Sequence, residues 1–156
     1  MRNIYKLTIL MFLILGLTSA SAKDVLTKQM VTNLLSKMDK TTVDLDAKAL
    51  GDLLSDNVLI KIVLPKQNGK NPIVSPNKKQ YISLLKQAWA KNKNYKYQRY
   101  NVNIEISNNK AITSFNAKES IQVENKTIDT YLKDQMLIEI INGKALITKV
   151  VSFLQK

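Results

Sequence analysis

Neither cysteine nor histidine occurs in this chain of 156 residues. The lack of cysteine excludes disulfides, thiolate nucleophiles, thiolate metal sites and a lipid-modified N-terminal cysteine. The lack of histidine removes the usual general base of nucleophilic triads and the commonest ligand of transition metals. No metal and no cofactor is expected, and an enzyme built on this chain is restricted to carboxylates, tyrosine, lysine and hydroxyls. Glycine (4) and proline (3) are scarce, so no flexible linker divides the chain, and no internal repeat is visible. Acidic residues are the minority: 12 Asp and Glu stand against 24 Lys and Arg, a formal net charge of +12.

The N-terminus carries Arg2 and Lys6, then an almost unbroken apolar run from Leu7 to Leu17, then Thr18-Ser19-Ala20-Ser21-Ala22. A basic start, a short apolar segment and small residues in an A-x-A arrangement are the parts of a cleavable secretory signal peptide. The run is eleven residues long, whereas a spanning helix needs about 20. Residues 1–22 are therefore expected to be removed, placing a single domain of residues 23–156 in the periplasm or outside the cell, with no stable membrane anchor. One domain suits that length.

Removing Arg2 and Lys6 lowers the formal charge from +12 to +10. The denser basic stretches, Lys66, Lys70, Lys78 and Lys79, then Lys91, Lys93 and Lys96, lie around expected turns. Aromatic interleaving of the kind that stacks single-stranded bases is confined to Tyr95, Tyr97 and Tyr100. Export also argues against nucleic acid as a partner. The charge reads as a solvated basic surface, with an anionic lipid or polymer of the envelope as the alternative.

Helical spacing of Leu26, Met30, Val31, Leu34, Leu35 and Met38 predicts a first helix over 24–38, capped by Asp24. A second helix is expected over about 45–54 behind Asp44, with Leu50, Leu53 and Leu54. Val58, Ile60, Ile62 and Leu64 alternate as a strand that Pro65 stops, and Ile73-Val74 is a candidate return strand. Ser75-Pro76 predicts the start of a third helix running to about Ala90, with Tyr81, Leu84, Leu85, Ala88 and Trp89 inward and Trp89 in the core.

The remainder predicts a four-strand antiparallel meander with two-residue turns at Asn108-Asn109, Asn125-Lys126 and Asn142-Gly143. Those turns pair Ile104 with Thr113, Val102 with Phe115, Phe115 with Met136, Ala117 with Asp134, Ile138 with Ile147 and Asp134 with Val151. Each turn independently puts the apolar residues of neighbouring strands on one face, and a slip of one residue would invert a strand. Parity breaks once, between Tyr95 and Tyr97 on odd positions and Tyr100, Val102, Ile104 and Ile106 on even ones. A bulge at Gln98-Arg99 would restore one face and curl the sheet.

Helix, helix, strand, capped helix and curled meander form a specific order. Together with Ala49-Leu50-Gly51-Asp52-Leu53-Leu54-Ser55-Asp56-Asn57-Val58 before the first strand and Asn142-Gly143-Lys144-Ala145-Leu146-Ile147-Thr148 in the last hairpin, it resembles the nuclear transport factor 2-like superfamily. That superfamily includes polyketide-cyclase-like and ketosteroid-isomerase-like proteins. The resemblance spans nearly all of 24–154 and implies an α+β cone: a curved antiparallel sheet wrapped around about three helices and enclosing a pocket. It also implies that dimerisation through the outer sheet face is common. Activities differ widely on this fold, and the histidine-containing sites of the superfamily are impossible here. An isomerase-like acid on the first strand is missing too, since that strand offers only Lys61 among apolar residues. No catalytic residue is carried over.

The registers place polar groups inside. Asp134 falls among Leu132, Met136 and Ile138, Lys149 falls opposite Met136, and Glu119 faces Tyr97 once the bulge is made. Tyr97, Tyr100, Glu119, Asp134 and Lys149 form a candidate ligand pocket, with a carboxylate as acid or base and a tyrosine hydroxyl to polarise a carbonyl. An Asp134–Lys149 ion pair near the open end of the cone, or a register error that leaves these residues in solvent, would also explain them. Outside, Leu137, Ile141, Leu146, Val150 and Leu154 suggest an apolar face for a homodimer. Three functions stand open: binding of a small apolar molecule or partner protein, a carboxylate/tyrosine isomerase or lyase on a small carbonyl compound, and a basic envelope scaffold.

Overall fold

The computed structural model describes residues 25–66, 68–90, 94–123 and 126–155. The expected signal peptide (1–22), Asp24, Lys91, Lys93 and Asn125 lie outside them. Three helices, α1 (Lys28–Val43), α2 (Ala47–Asp52) and α3 (Lys78–Ala90), pack against six strands: β1 (Leu54–Val63), β2 (Ile73–Val74), β3 (Lys96–Ser107), β4 (Lys110–Val123), β5 (Lys126–Ile141) and β6 (Lys144–Gln155). They form one curved sheet in the order β2-β1-β6-β5-β4-β3, with β1 parallel to β6 and every other pair antiparallel. This is the α+β cone. Its core is a cluster of α1 residues (Val31, Leu34, Leu35) on the inward side chains of the sheet, among them Ile60, Ala111, Phe115, Met136, Ile138 and Ile147.

Each helix starts later than its sequence suggests, because a side chain nearer the first turn takes the orphan N–H groups. Thr27 accepts from the Met30 N–H at the start of α1. Asp44 instead closes α1, its N–H donating to the Lys40 carbonyl. The chain then reverses through Leu45 at φ 56°, and Asp46 caps α2 by accepting from Ala49 N–H. Asn77 rather than Ser75-Pro76 opens α3: Asn77 Oδ1 accepts from Gln80 N–H while Gln80 Oε1 accepts from Asn77 N–H, each at 2.9 Å. In α3, Tyr81, Ile82, Leu85 and Trp89 face inward and Leu84 and Ala88 are exposed, which corrects the expected inner face.

The turns Asn108-Asn109 and Asn142-Gly143 form as expected. All four residues have positive φ, as a type I′ hairpin turn requires. Three registers depart from expectation. In β3 the extra residue sits at Asn101-Val102, not Gln98-Arg99: Arg99 pairs with Ala117 and Ile104 with Thr113, and Asn101 takes φ 53°. Between β4 and β5 the pairing is shifted by two, so Phe115 opposes Asp134 and Ala117 opposes Leu132. In β6, Ile138 pairs with Ile147 but Leu137 with Lys149, so Thr148 is an inserted residue. That bulge rotates the rest of β6: Val150 and Leu154 turn inward and Lys149 outward, against the expected faces. Leu137 and Leu146 remain on the outer side, joined by Leu59, Ile112 and Phe153, all substantially exposed.

Candidate functional site

The inner surface of the sheet and the three helices leave a cavity of about 150 Å3. Met38 and Thr42 of α1, Leu50 of α2, and Tyr81, Leu85 and Trp89 of α3 form one side. The sheet supplies Ile60 and Ile62 from β1, Tyr97 from β3, Glu119 from β4, Leu132, Asp134 and Met136 from β5, and Val150, Ser152 and Leu154 from β6. A larger depression, about 730 Å3, lies over the ends of β3 and β4, but much of its wall is exposed polar side chain, including Asn94, Lys96, Gln98 and Gln122. The smaller cavity is the one that can remove a ligand from water.

Of the candidate residues, Tyr97, Glu119 and Asp134 line this cavity. Tyr100 does not: the bulge comes after it rather than before Arg99, so it points outward with 36% of its surface exposed. Lys149 is on the outer face, and no Asp134–Lys149 pair forms. Asp134 is 7% exposed and accepts at Oδ1 from the Ser152 hydroxyl at 2.5 Å; among the described residues nothing hydrogen-bonds its other oxygen. Burial pushes the Asp134 carboxyl up to about 6, helped by the nearby Glu119 charge and opposed by Ser152 and Arg99.

Glu119 accepts from the Tyr95 hydroxyl at 2.8 Å. Burial also raises its carboxyl above the usual range, with Tyr95 partly offsetting this. The three phenols Tyr81, Tyr95 and Tyr97 are all held neutral, first by burial; Tyr97 is pushed up to about 12.

Arg99 was not singled out in the sequence. It continues the odd-numbered inward series Tyr95, Tyr97, Arg99 up to the bulge, and that alternation was its signal. Its side chain is 4% exposed and lies 3.0 Å from Asp39 Oδ1 of α1, with the guanidinium carbon 4.1 Å from the centre of the Phe115 ring. The pair is close, but the guanidinium N–H groups are not aligned on the oxygen, so they lack well-formed hydrogen bonds among the described residues. The Tyr97 hydroxyl is likewise buried without an aligned partner, although Arg99 is near enough to hold the phenol down against burial. The site thus offers an apolar enclosure, three phenols, two carboxyls that burial makes hold their protons more tightly, and a guanidinium behind them. Among the described residues no group of three or more Asp and Glu is placed to hold a metal ion.

No family model and no curated protein matches this chain. Solved structures do match its fold. A nuclear transport factor 2-like protein from Cytophaga hutchinsonii superposes with a TM-score of 0.63 at 14% identity, covering 83% of this chain and 100% of that one. A nuclear transport factor 2-like protein with a cystatin-like fold from Novosphingobium aromaticivorans gives 0.64 at 9% identity, over 82% and 81% of the two chains. A hexachlorocyclohexane dehydrochlorinase from Novosphingobium barchaimii gives 0.64 at 12% identity, over 82% and 86%.

Proposed function

Starting from a nuclear transport factor 2-like fold, we propose that this chain binds a small, largely apolar molecule in the cavity beneath α3, without covalent chemistry. The observation that carries this is the cavity itself: largely apolar walls from all three helices and the sheet, with Asp134 and Glu119 as the charged groups facing in beside the hydroxyls of Thr42, Tyr81, Tyr97 and Ser152. A few placed polar groups in an apolar enclosure orient a ligand, while the walls supply most of the affinity. Its volume, about 150 Å3, restricts the ligand to roughly the size of one aromatic ring. Amide chemical-shift mapping with small aromatic probes tests it. Shifts should centre on Tyr97, Leu132, Asp134 and Met136; shifts confined to the outer surface would sink the reading.

One observation favours a second reading. A buried carboxyl at about 6 suits proton transfer near neutral pH, and a dehydrochlorinase shares the fold. In that reading Asp134 moves a proton of a small carbonyl compound, as in an isomerase or lyase, and Tyr97 polarises the carbonyl. Turnover unchanged in both Asp134→Asn and Glu119→Gln would exclude it.

Two further parts of the reading rest on sequence and surface. Residues 1–22 act as an export signal cleaved after Ala22, so intact-mass measurement of exported protein should find Lys23 as its first residue. The outer sheet face, with Leu59, Ile112, Leu137, Leu146 and Phe153, receives a second copy of the chain.

A further inference from the structure

The cavity has an unusual charge balance for this chain. Lysine and arginine outnumber acids 24 to 12, yet the lining contains Asp134 and Glu119 and neither lysine nor arginine. The cation behind the wall, Arg99, is already set against Asp39 at 3.0 Å. Two carboxyls therefore face the cavity with no cation among its lining residues to balance them. Tyr95 and Ser152 each donate one hydrogen bond to them. The second oxygen of Asp134, on a residue 93% removed from solvent, takes none from any described residue. The rings of Tyr81, Tyr97 and Trp89 and the thioethers of Met38 and Met136 share the same lining.

We propose that the occupant of this cavity is a small organic cation, an amine or ammonium on an apolar body, with its charge against Asp134 and Glu119 and its body among the rings of Tyr81, Tyr97 and Trp89. The inference rests on the small-molecule reading above and names its ligand class. A neutral guest would leave a buried carboxylate without a counter-charge, and an anionic guest would add a further negative charge beside two others. A cation supplies what is missing and meets the negative faces of aromatic rings. Volume agrees, because a cavity of about 150 Å3 accepts a benzene-sized body. Binding weakens in acid, since burial makes Asp134 and Glu119 take up protons more readily than exposed carboxyls do. The other titratable groups facing Asp134 are Arg99 and Tyr97 from β3, and Tyr81 from α3, with Asp39 of α1 beyond Arg99; burial keeps both phenols neutral.

Isothermal titration of the purified chain with benzylamine, benzyl alcohol and benzoate tests this, because the three differ mainly in charge. At about pH 7.5 benzylamine should bind roughly tenfold more tightly than benzyl alcohol, with benzoate weakest. That preference should narrow as pH falls from about 7.5 to about 5, and in Asp134→Asn or Glu119→Gln it should shrink at least about fivefold while benzyl alcohol stays within about twofold. Benzyl alcohol binding as well as benzylamine in the unmodified chain would overturn the cation inference and leave the small-molecule reading standing. Benzoate binding tightest would overturn it as well and move the recognition to Arg99. Failure of all three to bind would overturn both readings.

Discussion

Asp134 is a residue whose burial opposes its own charge. Its carboxyl is raised from 3.8 to about 6, chiefly by desolvation. Over that window the native chain holds a proton that the unfolded chain has released. The contribution to stability is therefore full below about pH 4, falls as pH rises towards 6, and is gone above it. The gap between 3.8 and about 6 corresponds to about 3 kcal/mol. Asp134→Asn keeps the shape and a polar partner for Ser152 but cannot ionise. It should raise the urea midpoint at about pH 8 by the equivalent of about 2 kcal/mol, and change little at about pH 4.5. Equal effects at both pH values would show that the burial penalty is not on this carboxyl. Arg99 poses the opposite problem, since its charge is permanent. Asp39 is half-buried and its carboxyl is raised by burial, with Arg99 pulling it back. Asp39→Asn removes a carboxylate whose burial outweighs its attraction to Arg99 but also leaves the buried guanidinium without a counter-charge; the two effects oppose each other, so the single substitution should move stability by less than about 1 kcal/mol. Adding Arg99→Met to Asp39→Asn should raise stability, because an apolar chain of similar length can pack on Phe115 without needing a partner. A double variant less stable than Asp39→Asn in denaturant melts would contradict this account.

At the scale of elements, α3 depends on one residue that the sequence did not point to. Asn77 and Gln80 exchange two hydrogen bonds at its first turn. Asn77→Ala should lower stability by about 1 kcal/mol, whereas Ser75→Ala should leave the urea midpoint nearly unchanged; the reverse order would place the cap where the sequence suggested. The Ser-Pro pair was readable as a helix start because its residue types are right, and only the observed hydrogen bonds distinguish it from Asn77 two residues on. The sheet shows the same division. Alternation detects a slip of one residue but is blind to a slip of two, which preserves every face. So Asp134 was correctly read as inward although its partner is Phe115 and not Ala117. Single-residue bulges are what alternation cannot locate. The β3 bulge needs a residue that tolerates positive φ, and Asn101, Asn103, Asn108 and Asn109 all qualify by type. The Thr148 bulge has no compositional mark at all, although the folded chain holds it through the Thr148 hydroxyl on Glu139 at 2.7 Å. Those two bulges account for the misplaced Tyr100 and Lys149 and for the missed Arg99. The turns Asn108-Asn109 and Asn142-Gly143 were legible because their backbone demands particular residues.

For the whole molecule, charge and apolar surface act against each other. A formal charge of +12, or +10 once residues 1–22 are removed, makes copies of the chain repel. Yet the outer face of the sheet exposes Leu59 (63%), Ile112 (56%) and Phe153 (38%), beside Leu137 and Leu146. Salt screens repulsion between the surfaces, with a Debye length of about 10 Å at 0.1 M, and does not weaken apolar burial. If two copies meet through this face, their association should therefore strengthen as salt increases, the opposite of an assembly held by surface ion pairs. Sedimentation of the purified domain at about 50 μM should show dimer rising between about 0.05 and 0.5 M sodium chloride. Ile112→Lys, at an exposed position near the start of β4, should hold the chain monomeric at both salt concentrations without lowering its thermal midpoint, because an exposed position contributes little to the fold. A dimer that dissociates as salt rises would assign the contact to charged groups, and a monomer throughout would leave the outer face to a different partner.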